Sequence, residues 1–246
     1  MSRWIIPLNP APHAPIQLLC LPYAGGGSAV FRPWKSLLPG SIGLYSVQLP
    51  ARETRFAEPP VTDIMQMVTQ IMMELTPLLA KPYALFGHSM GALLAFELLR
   101  QLQSARMPLP QHFFASGRVA PQQQRTLPPL QYLPDPAFVH ALNDRYGGID
   151  PVVLQHQDLL DLLLPALRAD IIAVENYRYQ PLPQPLLCPM TVYGGSHDPQ
   201  VSPLDLQDWR IHTQQPFQVE IFPGGHFFLN ESRLPLLASI AKILNG

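Results

Sequence analysis

The residues of this chain that could do chemistry centre on a serine between two glycines. Ser89 lies in the run Gly87-His88-Ser89-Met90-Gly91, which has the G-x-S-x-G pattern of a nucleophile elbow. An apolar run precedes it and a helix-like run follows it, which is the strand–turn–helix context that an elbow needs. The tight turn strains the serine backbone and leaves no room for side chains at the flanking glycines. We therefore predict that Ser89 is a catalytic nucleophile, rather than a surface serine in a glycine-rich turn.

A serine hydroxyl is a weak nucleophile at neutral pH, so it needs a general base and a carboxylate that orients the base. On this kind of turn the expected chain order is serine, acid, histidine. His226 follows Gly224 and Gly225 after a strand-like run, and we predict that it is the general base. Asp198 also follows a strand-like run, so it should reach the same sheet edge as the elbow, and we predict that it is the acid.

Other acids and histidines are weaker candidates. Asp205 and Asp208 lie on a predicted helix, and Asp170 lies in a predicted insertion. His88 should point away from the nucleophile because of the elbow's geometry, and His197 has no assigned role. No histidine pair has metal-ligand spacing, so no metal is expected. The remaining histidines are predicted to be surface or packing residues: His13, His112, His140, His156 and His212.

Acyl transfer also needs N–H donors for the charge that develops on the carbonyl oxygen, and one donor contributes about 3–4 kcal/mol. We predict that these donors are the backbone amides of Met90, directly after the nucleophile, and of Ala24 in the glycine-rich run Leu21–Ser28. Such a loop could instead bind phosphate. The chain, however, has neither a G-x-x-x-x-G-K-[ST] pattern nor a G-x-G-x-x-G pattern with a suitable acidic residue, and the elbow favours an oxyanion loop.

Strand and helix patterns alternate along the chain, which predicts an α/β fold with a mostly parallel sheet covered on both faces. The predicted strands are Ile16–Leu21, Leu44–Leu49, Tyr83–Phe86, His112–Ser116, Met190–Tyr193 and Phe217–Phe222. The predicted helices are Ser28–Leu38, one that begins at an N-cap Thr62, Ala92–Gln103 and Glu231–Leu244.

A stretch of about residues 118–187 breaks this alternation. It is predicted to form a helical insertion within a single domain of residues 1–246, and its expected helices are Asp135–Asn143, Val152–Leu164 and Pro165–Glu175. The leucines of the predicted helix Val152–Leu164 either make ordinary packing contacts between helices or line a substrate channel. The sequence is compatible with both interpretations.

Composition narrows the class of protein. The 246 residues are 47% hydrophobic and 13% charged, which suits a globular chain with a large core. A net charge of −1 argues against nucleic acid or an anionic membrane as partner. No run predicts a signal peptide or a membrane span. Cys20 and Cys188 adjoin apolar strand-like runs, so we predict buried free thiols and a cytoplasmic location.

Taken together and in order, the motifs resemble the type II thioesterases, the stand-alone editing hydrolases of nonribosomal peptide and polyketide synthesis. The resemblance spans nearly the whole chain, and its joint pattern is more specific than any one motif. One departure is Ala51, where the family usually has the glycine of Pro-Gly-Arg, so the local turn geometry is in question. The matching runs are Leu21–Gly26, Pro50–Arg55, Phe86–Ala92, Asp198–Pro199 and Pro223–Phe228.

The resemblance implies an α/β-hydrolase fold with a helical lid, acting as a monomer on acyl or aminoacyl thioesters of carrier proteins. No cofactor is implied, because the phosphopantetheine arm belongs to the carrier protein. Carrier proteins are usually acidic, so Arg32, Lys35, Arg52 and Arg55 are candidates for docking them, unless they pair with local carboxylates. Two other functions remain open: a medium-chain acyl-carrier thioesterase or general esterase, and an inactive binding protein that has kept the fold.

Overall fold

A seven-stranded sheet forms the centre of the computed structural model, which describes residues 2–123, 127–149, 151–181 and 183–246. The strand order is β1-β3-β2-β4-β5-β6-β7; β1 runs antiparallel to β3, and all other neighbours are parallel. This confirms the predicted, mostly parallel α/β sheet. The strands are β1 (Ile5–Asn9), β2 (Ile16–Leu21), β3 (Ile42–Val47), β4 (Tyr83–His88), β5 (His112–Ser116), β6 (Met190–Gly195) and β7 (Phe217–Phe222).

Helices cover both faces of the sheet. Three 3₁₀ segments, Ser28–Ser36, Glu53–Arg55 and Asp205–His212, lie in the connections between strands. The α-helices are α1 (Ile64–Glu74), α2 (Thr76–Leu79), α3 (Met90–Ser104), α4 (Asp135–Tyr146), α5 (Pro151–Gln155), α6 (Gln157–Asn176), α7 (Phe228–Glu231) and α8 (Arg233–Asn245).

The central strands β2 and β4 are buried at every residue, as expected for parallel strands covered on both sides. One face packs against α1 and α3 through residues such as Val68 and Leu94. The other face packs against α8 and the first 3₁₀ segment through residues such as Trp34 and Leu236. Every residue of α3 from Met90 to Leu99 is buried, so the helix that follows the nucleophile elbow is fixed within the core.

The strand order creates a crevice where the elbow lies. After β2 the chain moves to β3 on one side, and after β4 it moves to β5 on the other side. The connections that leave β2 and β4 therefore diverge above two adjacent strands, at a topological switch point. Ligands in open α/β sheets bind at such points, outside the carboxyl ends of the strands. The oxyanion loop follows β2 and the elbow follows β4, so both lie at this crevice.

The structure differs from the sequence-based predictions in several local features. Strand β1 was not expected: its sequence carries Pro7 and no clear alternation, and it is held by antiparallel pairing of Ile5 with Val47. Helix α1 is capped by Asp63 rather than by Thr62, because an Asp63 carboxylate oxygen accepts a hydrogen bond from the Gln66 amide at 2.7 Å.

The last helix is also divided, since α7 and α8 are separate helices on either side of Ser232. The segment between β5 and β6 contains α4, α5 and α6. Pro165 does not start a new helix as predicted; it lies inside α6, between the buried side chains of Leu164 and Ala166. Packing on both sides offsets the hydrogen bond that proline removes. Residues 124–126, 150 and 182 of the predicted insertion lie outside the described residues, and the domain boundaries stay a prediction.

Cys20 and Cys188 are both buried free thiols, which confirms that prediction. Burial raises the pKa of both thiols, that of Cys188 to about 12, so neither is a reactive thiolate at neutral pH. Across the residues that the structure describes, no α-helix combines the length and the apolar composition needed to cross a lipid bilayer.

Candidate active site

Ser89 lies at the turn between β4 and α3 with a backbone that few non-glycine residues adopt. Its φ is 54° and its ψ is −113°, which lies in the positive-φ region. A β-carbon on Gly87 would overlap the carbonyl oxygen of Gly91, and one on Gly91 would overlap that of Leu21. The glycines therefore allow the close packing that holds the turn strained. The Ser89 amide is fixed by a 2.8 Å hydrogen bond to the carbonyl of Ser116 on the neighbouring strand.

The structure brings the three predicted side chains into one hydrogen-bonded row. His226 Nε2 lies 3.1 Å from Ser89 Oγ, and His226 Nδ1 lies 2.8 Å from Asp198 Oδ2. The other oxygen of Asp198 accepts a 2.8 Å hydrogen bond from the Gln200 amide, which fixes the orientation of the carboxylate. With Nδ1–H donated to Asp198, Nε2 is free to accept the serine proton. The three side chains therefore have the two hydrogen bonds that a general base needs, one to the nucleophile and one to the orienting acid.

Burial strengthens the pairing of histidine and acid. The side chain of Asp198 is 0% exposed and that of His226 is 3% exposed, so water does not compete for their hydrogen bond. The rival acids lie elsewhere. Asp205 accepts bonds from Ser202 at the start of a 3₁₀ segment, and Asp208 contacts Gln123, so neither is the partner of this histidine.

The two predicted oxyanion donors face the cavity that contains the nucleophile. Ala24, Ser89 and Met90 line the same cavity. Met90 is the first residue of α3, and the first amides of a helix have no partner within the helix. Within the described part of the chain, the Ala24 amide makes no hydrogen bond to another backbone group. Both amides are thus available to an anionic oxygen, although their catalytic role stays a prediction.

A buried ion pair that the sequence did not reveal holds the oxyanion loop. Asp170 on α6 accepts two hydrogen bonds from the guanidinium of Arg52, at 2.6 and 2.9 Å, and one from the Gly25 amide at 2.7 Å. Arg52 also donates to the Gly26 carbonyl at 3.0 Å. Asp170 is therefore no rival acid: it ties the residue after Ala24 to α6. The two partners lie far apart in the chain, so only the tertiary structure shows their pairing.

This finding corrects the docking prediction for two arginines. Arg52 is buried against Asp170, and Arg55 is buried with its guanidinium on the Glu58 carboxylate and over the Trp4 ring, 4.3 Å from the ring centroid. The hydrogen bond from Arg55 lowers the pKa of Glu58. Neither arginine is accessible to a carrier protein. Arg32 and Lys35 are exposed, with Arg32 3.6 Å from Glu53.

The Ala51 departure from the family pattern has a structural consequence. Ala51 has a φ of 62°, in the left-handed region where glycine is favoured. The turn therefore keeps the conformation that a glycine would adopt, and the chain tolerates a strained alanine directly before Arg52. The triad geometry is not affected.

The remaining histidines have packing or surface positions. His88 is fully buried: its Nδ1 lies 2.9 Å from Ser116 Oγ, and its ring centroid lies 5.3 Å from that of His226. Burial, together with the neighbouring His226, lowers the pKa of His88 well below its usual value, so it stays neutral. His197 Nδ1 lies 2.8 Å from Ser196 Oγ. Burial lowers the pKa of His112 and of His212 to about 4.

A cavity of about 800 Å³ opens beside Ser89 and His226. Part of the leucine-rich segment lines this channel: Leu160, Leu163 and Leu164 belong to the cavity wall, whereas Leu159 and Leu162 do not. Helices α4 and α6 contribute much of the apolar wall. The volume is within the range of small-molecule sites and accommodates an acyl chain next to the nucleophile.

Sequence and structure comparisons identify the class of protein. The family model described as a thioesterase domain matches residues 16–244, and the chain belongs to this thioesterase family. Its structure is similar to that of the type II thioesterase BorB from the borrelidin biosynthetic cluster, with a TM-score of 0.88 and 38% identity. The match covers 98% of this chain and 97% of BorB. The fold is accordingly that of an α/β-hydrolase, as the resemblance implied.

Two relatives match over nearly the whole chain. The gramicidin S biosynthesis protein GrsT of Aneurinibacillus migulanus is 39% identical over 244 residues, covering 99% of this chain and 94% of GrsT. The protein named linear gramicidin dehydrogenase LgrE, from Brevibacillus parabrevis, is 40% identical over 247 residues, covering 100% of this chain and 94% of LgrE. The similarity thus extends beyond the motifs to the entire thioesterase chain.

Proposed function

We propose that this thioesterase hydrolyses acyl and aminoacyl thioesters on the phosphopantetheine arm of carrier proteins, and so regenerates stalled nonribosomal peptide or polyketide synthases. One observation carries the proposal: the row of Ser89, His226 and Asp198 opens into an acyl-sized cavity in a chain of this family. The similarity to BorB over nearly the full length supports the substrate class.

In the first half-reaction, Ser89 Oγ attacks the thioester carbonyl carbon while His226 Nε2 takes the hydroxyl proton. The carbonyl oxygen becomes an oxyanion, and the amides of Ala24 and Met90 are the proposed donors for it. When the tetrahedral intermediate collapses, the carbon–sulfur bond breaks and the acyl group stays on Ser89. The leaving thiol has a reference pKa of about 8.5, so the carbon–sulfur bond breaks readily, and the sulfur takes the proton from His226, which restores the neutral imidazole for the second half-reaction.

In the second half-reaction, water takes the place of the thiol. His226 removes a proton from water, the hydroxide attacks the acyl-serine carbonyl, and the ester oxygen of Ser89 leaves with the proton from His226. Asp198 stabilises the imidazolium in both steps because it accepts the Nδ1–H hydrogen bond. The net reaction consumes one water and releases a carboxylic acid and a free carrier thiol.

The name of LgrE describes a different activity, and the sequence of the present chain argues for hydrolysis. The chain has no G-x-G-x-x-G pattern with a suitably placed acidic residue, which is the usual fingerprint for a dinucleotide. Its strand β4 instead leads to the strained Ser89, which has His226 within hydrogen-bond distance. The nucleophile and its base therefore favour acyl transfer.

The test is a deacylation assay by mass spectrometry on carrier proteins loaded with acetyl, aminoacyl and decanoyl groups. We expect hydrolysis of the short acyl and aminoacyl groups and loss of all turnover in Ser89→Ala. Preference for the decanoyl carrier protein would instead establish a medium-chain acyl-carrier thioesterase, and turnover of simple esters alone would establish a general esterase. A fluorophosphonate probe that labels the wild type but not Ser89→Ala would exclude an inactive binding protein.

The proposal includes acidic, acyl-loaded carrier domains as partners, with Arg32 and Lys35 as exposed candidates for contacting them. It also includes action as a monomer in the cytoplasm, for which the buried free thiols give some support. Sedimentation at micromolar concentration tests the monomer, and the charge reversals Arg32→Glu and Lys35→Glu test the docking. A KM for the carrier protein that stays unchanged in both reversals would remove these residues from the partner surface.

A further inference from the structure

Arg118 lies close to the candidate active site at the carboxyl end of the sheet. It follows β5 and Gly117, two residues beyond Ser116, whose carbonyl accepts the Ser89 amide. Its own carbonyl is fixed by a 2.8 Å hydrogen bond from the indole of Trp209. The Arg118 side chain lines the same cavity as Ser89 and His226. Arg118 therefore faces the cavity in which the acyl group of a substrate would lie.

Within the described part of the chain, the guanidinium of Arg118 has no hydrogen-bond acceptor and no ion-pair partner. Its Nε is buried and makes no hydrogen bond, and within the described residues the side chain takes part in no ion pair. Burial lowers the pKa of Arg118, and the charges that counter this effect belong to the hydroxyls of Tyr146 and Tyr177 rather than to a carboxylate. Arg118 as a whole is only half-buried, but a buried Nε–H that has lost water and gained no acceptor is costly.

The other charged groups of the cavity wall are occupied. The carboxylate of Glu175 accepts the amides of Leu130 and Gln131, at 2.7 and 3.0 Å, and lies 3.9 Å from Arg145. Arg145 also donates to the carbonyl of Pro128 at 2.7 Å. Arg178 donates to the carbonyls of Glu175 and Tyr177, at 2.7 and 2.9 Å.

Among the described residues of the wall, Arg118 is therefore the cation without an acceptor. The described residues around it supply no carboxylate that would neutralise it, so its guanidinium is available to an acceptor on a bound molecule.

We propose that Arg118 binds a carboxylate carried by the acyl group of the substrate, so that acyl thioesters ending in a carboxylate are a preferred substrate class. The proposal rests on the hydrolase function proposed above. The guanidinium matches a carboxylate with two parallel hydrogen bonds, and the low dielectric of the cavity strengthens the pair. An acyl chain that ends in a methyl group leaves the cation unpaired.

The test compares matched N-acetylcysteamine thioesters whose acyl chains end in a carboxylate or in a methyl group: malonyl with propionyl, succinyl with butyryl, and glutaryl with pentanoyl. These substrates lack the phosphate of the carrier arm, so any preference arises from the acyl carboxylate. Rates are corrected for hydrolysis in the presence of Ser89→Ala. We expect wild-type kcat/KM to favour the carboxylate in at least one pair by roughly tenfold or more, and Arg118→Met to abolish that ratio.

Arg118→Lys should retain part of the preference, because it keeps the charge and loses the planar fork. Arg178→Met is the matched control: it removes another arginine of the wall, one that is already bonded to carbonyl oxygens, and its ratio should stay near the wild-type value. A ratio that falls equally in Arg178→Met would show a general effect of charge and overturn a specific contact. Wild-type preference for the methyl-terminated member of every pair would also overturn the proposal.

A binding measurement separates this inference from the hydrolase function. In Ser89→Ala, calorimetry should show tighter binding of the carboxylate-terminated thioester, and Ser89→Ala/Arg118→Met should lose the difference. If the wild type hydrolyses butyryl thioesters and shows no carboxylate preference in rate or binding, only the role of Arg118 fails. If no thioester is hydrolysed but the difference in binding persists, the hydrolase function fails and the carboxylate site stands.

Discussion

The carboxylate of Asp170 and the guanidinium of Arg52 form a buried two-point ion pair that links helix α6 to the loop after β2. The same carboxylate holds the Gly25 amide, directly after the proposed oxyanion donor Ala24. The pair thus connects the wall of the acyl cavity to the site where charge develops during the reaction. A displacement of α6 would move the Gly25 amide and with it the oxyanion loop.

Replacing Asp170 by Asn is expected to destabilise the fold and slow the reaction. The change leaves the buried cation of Arg52 without its counter-charge, and breaking one partner of a buried pair costs about 3–5 kcal/mol. Denaturant unfolding measures this loss. The kcat should fall by roughly tenfold to hundredfold, less than the loss of an oxyanion donor itself, with a smaller change in KM.

Arg168→Met on the same helix is the control, because Arg168 pairs with the exposed Asp135 at the surface. It should cost about 1 kcal/mol or less. The double variant Arg52→Met/Asp170→Leu removes both charges and should recover stability relative to Asp170→Asn, but not the oxyanion-loop bond to Gly25. Equal stability and equal kcat in Asp170→Asn and the wild type would show that this ion pair neither stabilises the fold nor positions the oxyanion loop.

Ala51→Gly is expected to stabilise the protein. Ala51 has a φ of 62°, where alanine is strained and glycine is not. Relief of the strain is partly offset by the greater freedom of glycine in the unfolded chain, so we expect a gain of roughly 0.5–1 kcal/mol. Chemical denaturation measures it. Ala241→Gly in the helix α8 is the matched control and should lose about 0.5–1 kcal/mol. A loss at both positions would mean that Ala51 is unstrained.

Stability is expected to fall when the pH drops from about 6.5 to about 4. Burial lowers the folded-state pKa of His212, and likewise that of His112, to about 4, below the usual 6.5. Between these values the unfolded chain binds protons that the folded chain does not, so acid favours unfolding. The contribution is complete above about 6.5 and is lost as the pH falls toward 4, by at most about 1.4 kcal/mol per pH unit for each histidine.

Unfolding free energies from denaturant titrations at several pH values measure this slope. His212→Gln should make the unfolding free energy depend less steeply on pH. The same change at the exposed His13 should leave the pH dependence as in the wild type. An unchanged slope in His212→Gln would show that this histidine also protonates in the folded protein.

Ser89, His226 and Asp198 should differ in how much each contributes to kcat. We expect Ser89→Ala to lower kcat by roughly 10⁴- to 10⁶-fold, as in serine triads on other scaffolds. Asp198→Asn should cost less than His226→Ala, because the acid orients and stabilises while the base transfers protons. Steady-state kinetics on a loaded carrier protein measures all three. Asp205→Asn is the control for the acid; a silent Asp198→Asn beside a crippled Asp205→Asn would reassign it.

The sequence alone was sufficient to predict an element or a site residue where the local residue pattern and the chemical requirement indicate the same structure. The glycines around Ser89 are required by the turn itself, so the strand, the elbow and the helix could be predicted together. His226 follows an alternating strand-like run and two glycines, which placed it at the correct edge of the sheet. Strand β2, strand β5 and strand β7 have the predicted bounds because each is an unbroken apolar or alternating run between turn residues.

Prediction from the sequence failed where contacts between distant parts of the chain determine the local structure. The pairing of Arg52 with Asp170 joins residues 118 positions apart, and no local pattern indicates it. Strand β1 exists because β3 offers it an edge, not because of its own composition. Pro165 is a helix breaker in isolation, but the packing of its neighbours keeps α6 continuous. The choice of Asp63 over Thr62 as cap depends on the entry angle of the chain, since both residue types are good caps.

The most direct test of the account is a rapid-quench experiment on an acyl-loaded carrier protein, followed by mass spectrometry of the intact enzyme and of its peptides. In the first turnover the wild type should carry one acyl group, on the peptide that contains Ser89, which then disappears as the free acid forms. Ser89→Ala should show no adduct and almost no release of acid. Deacylation at the wild-type rate by Ser89→Ala, or an acyl group on a different residue, would contradict the account.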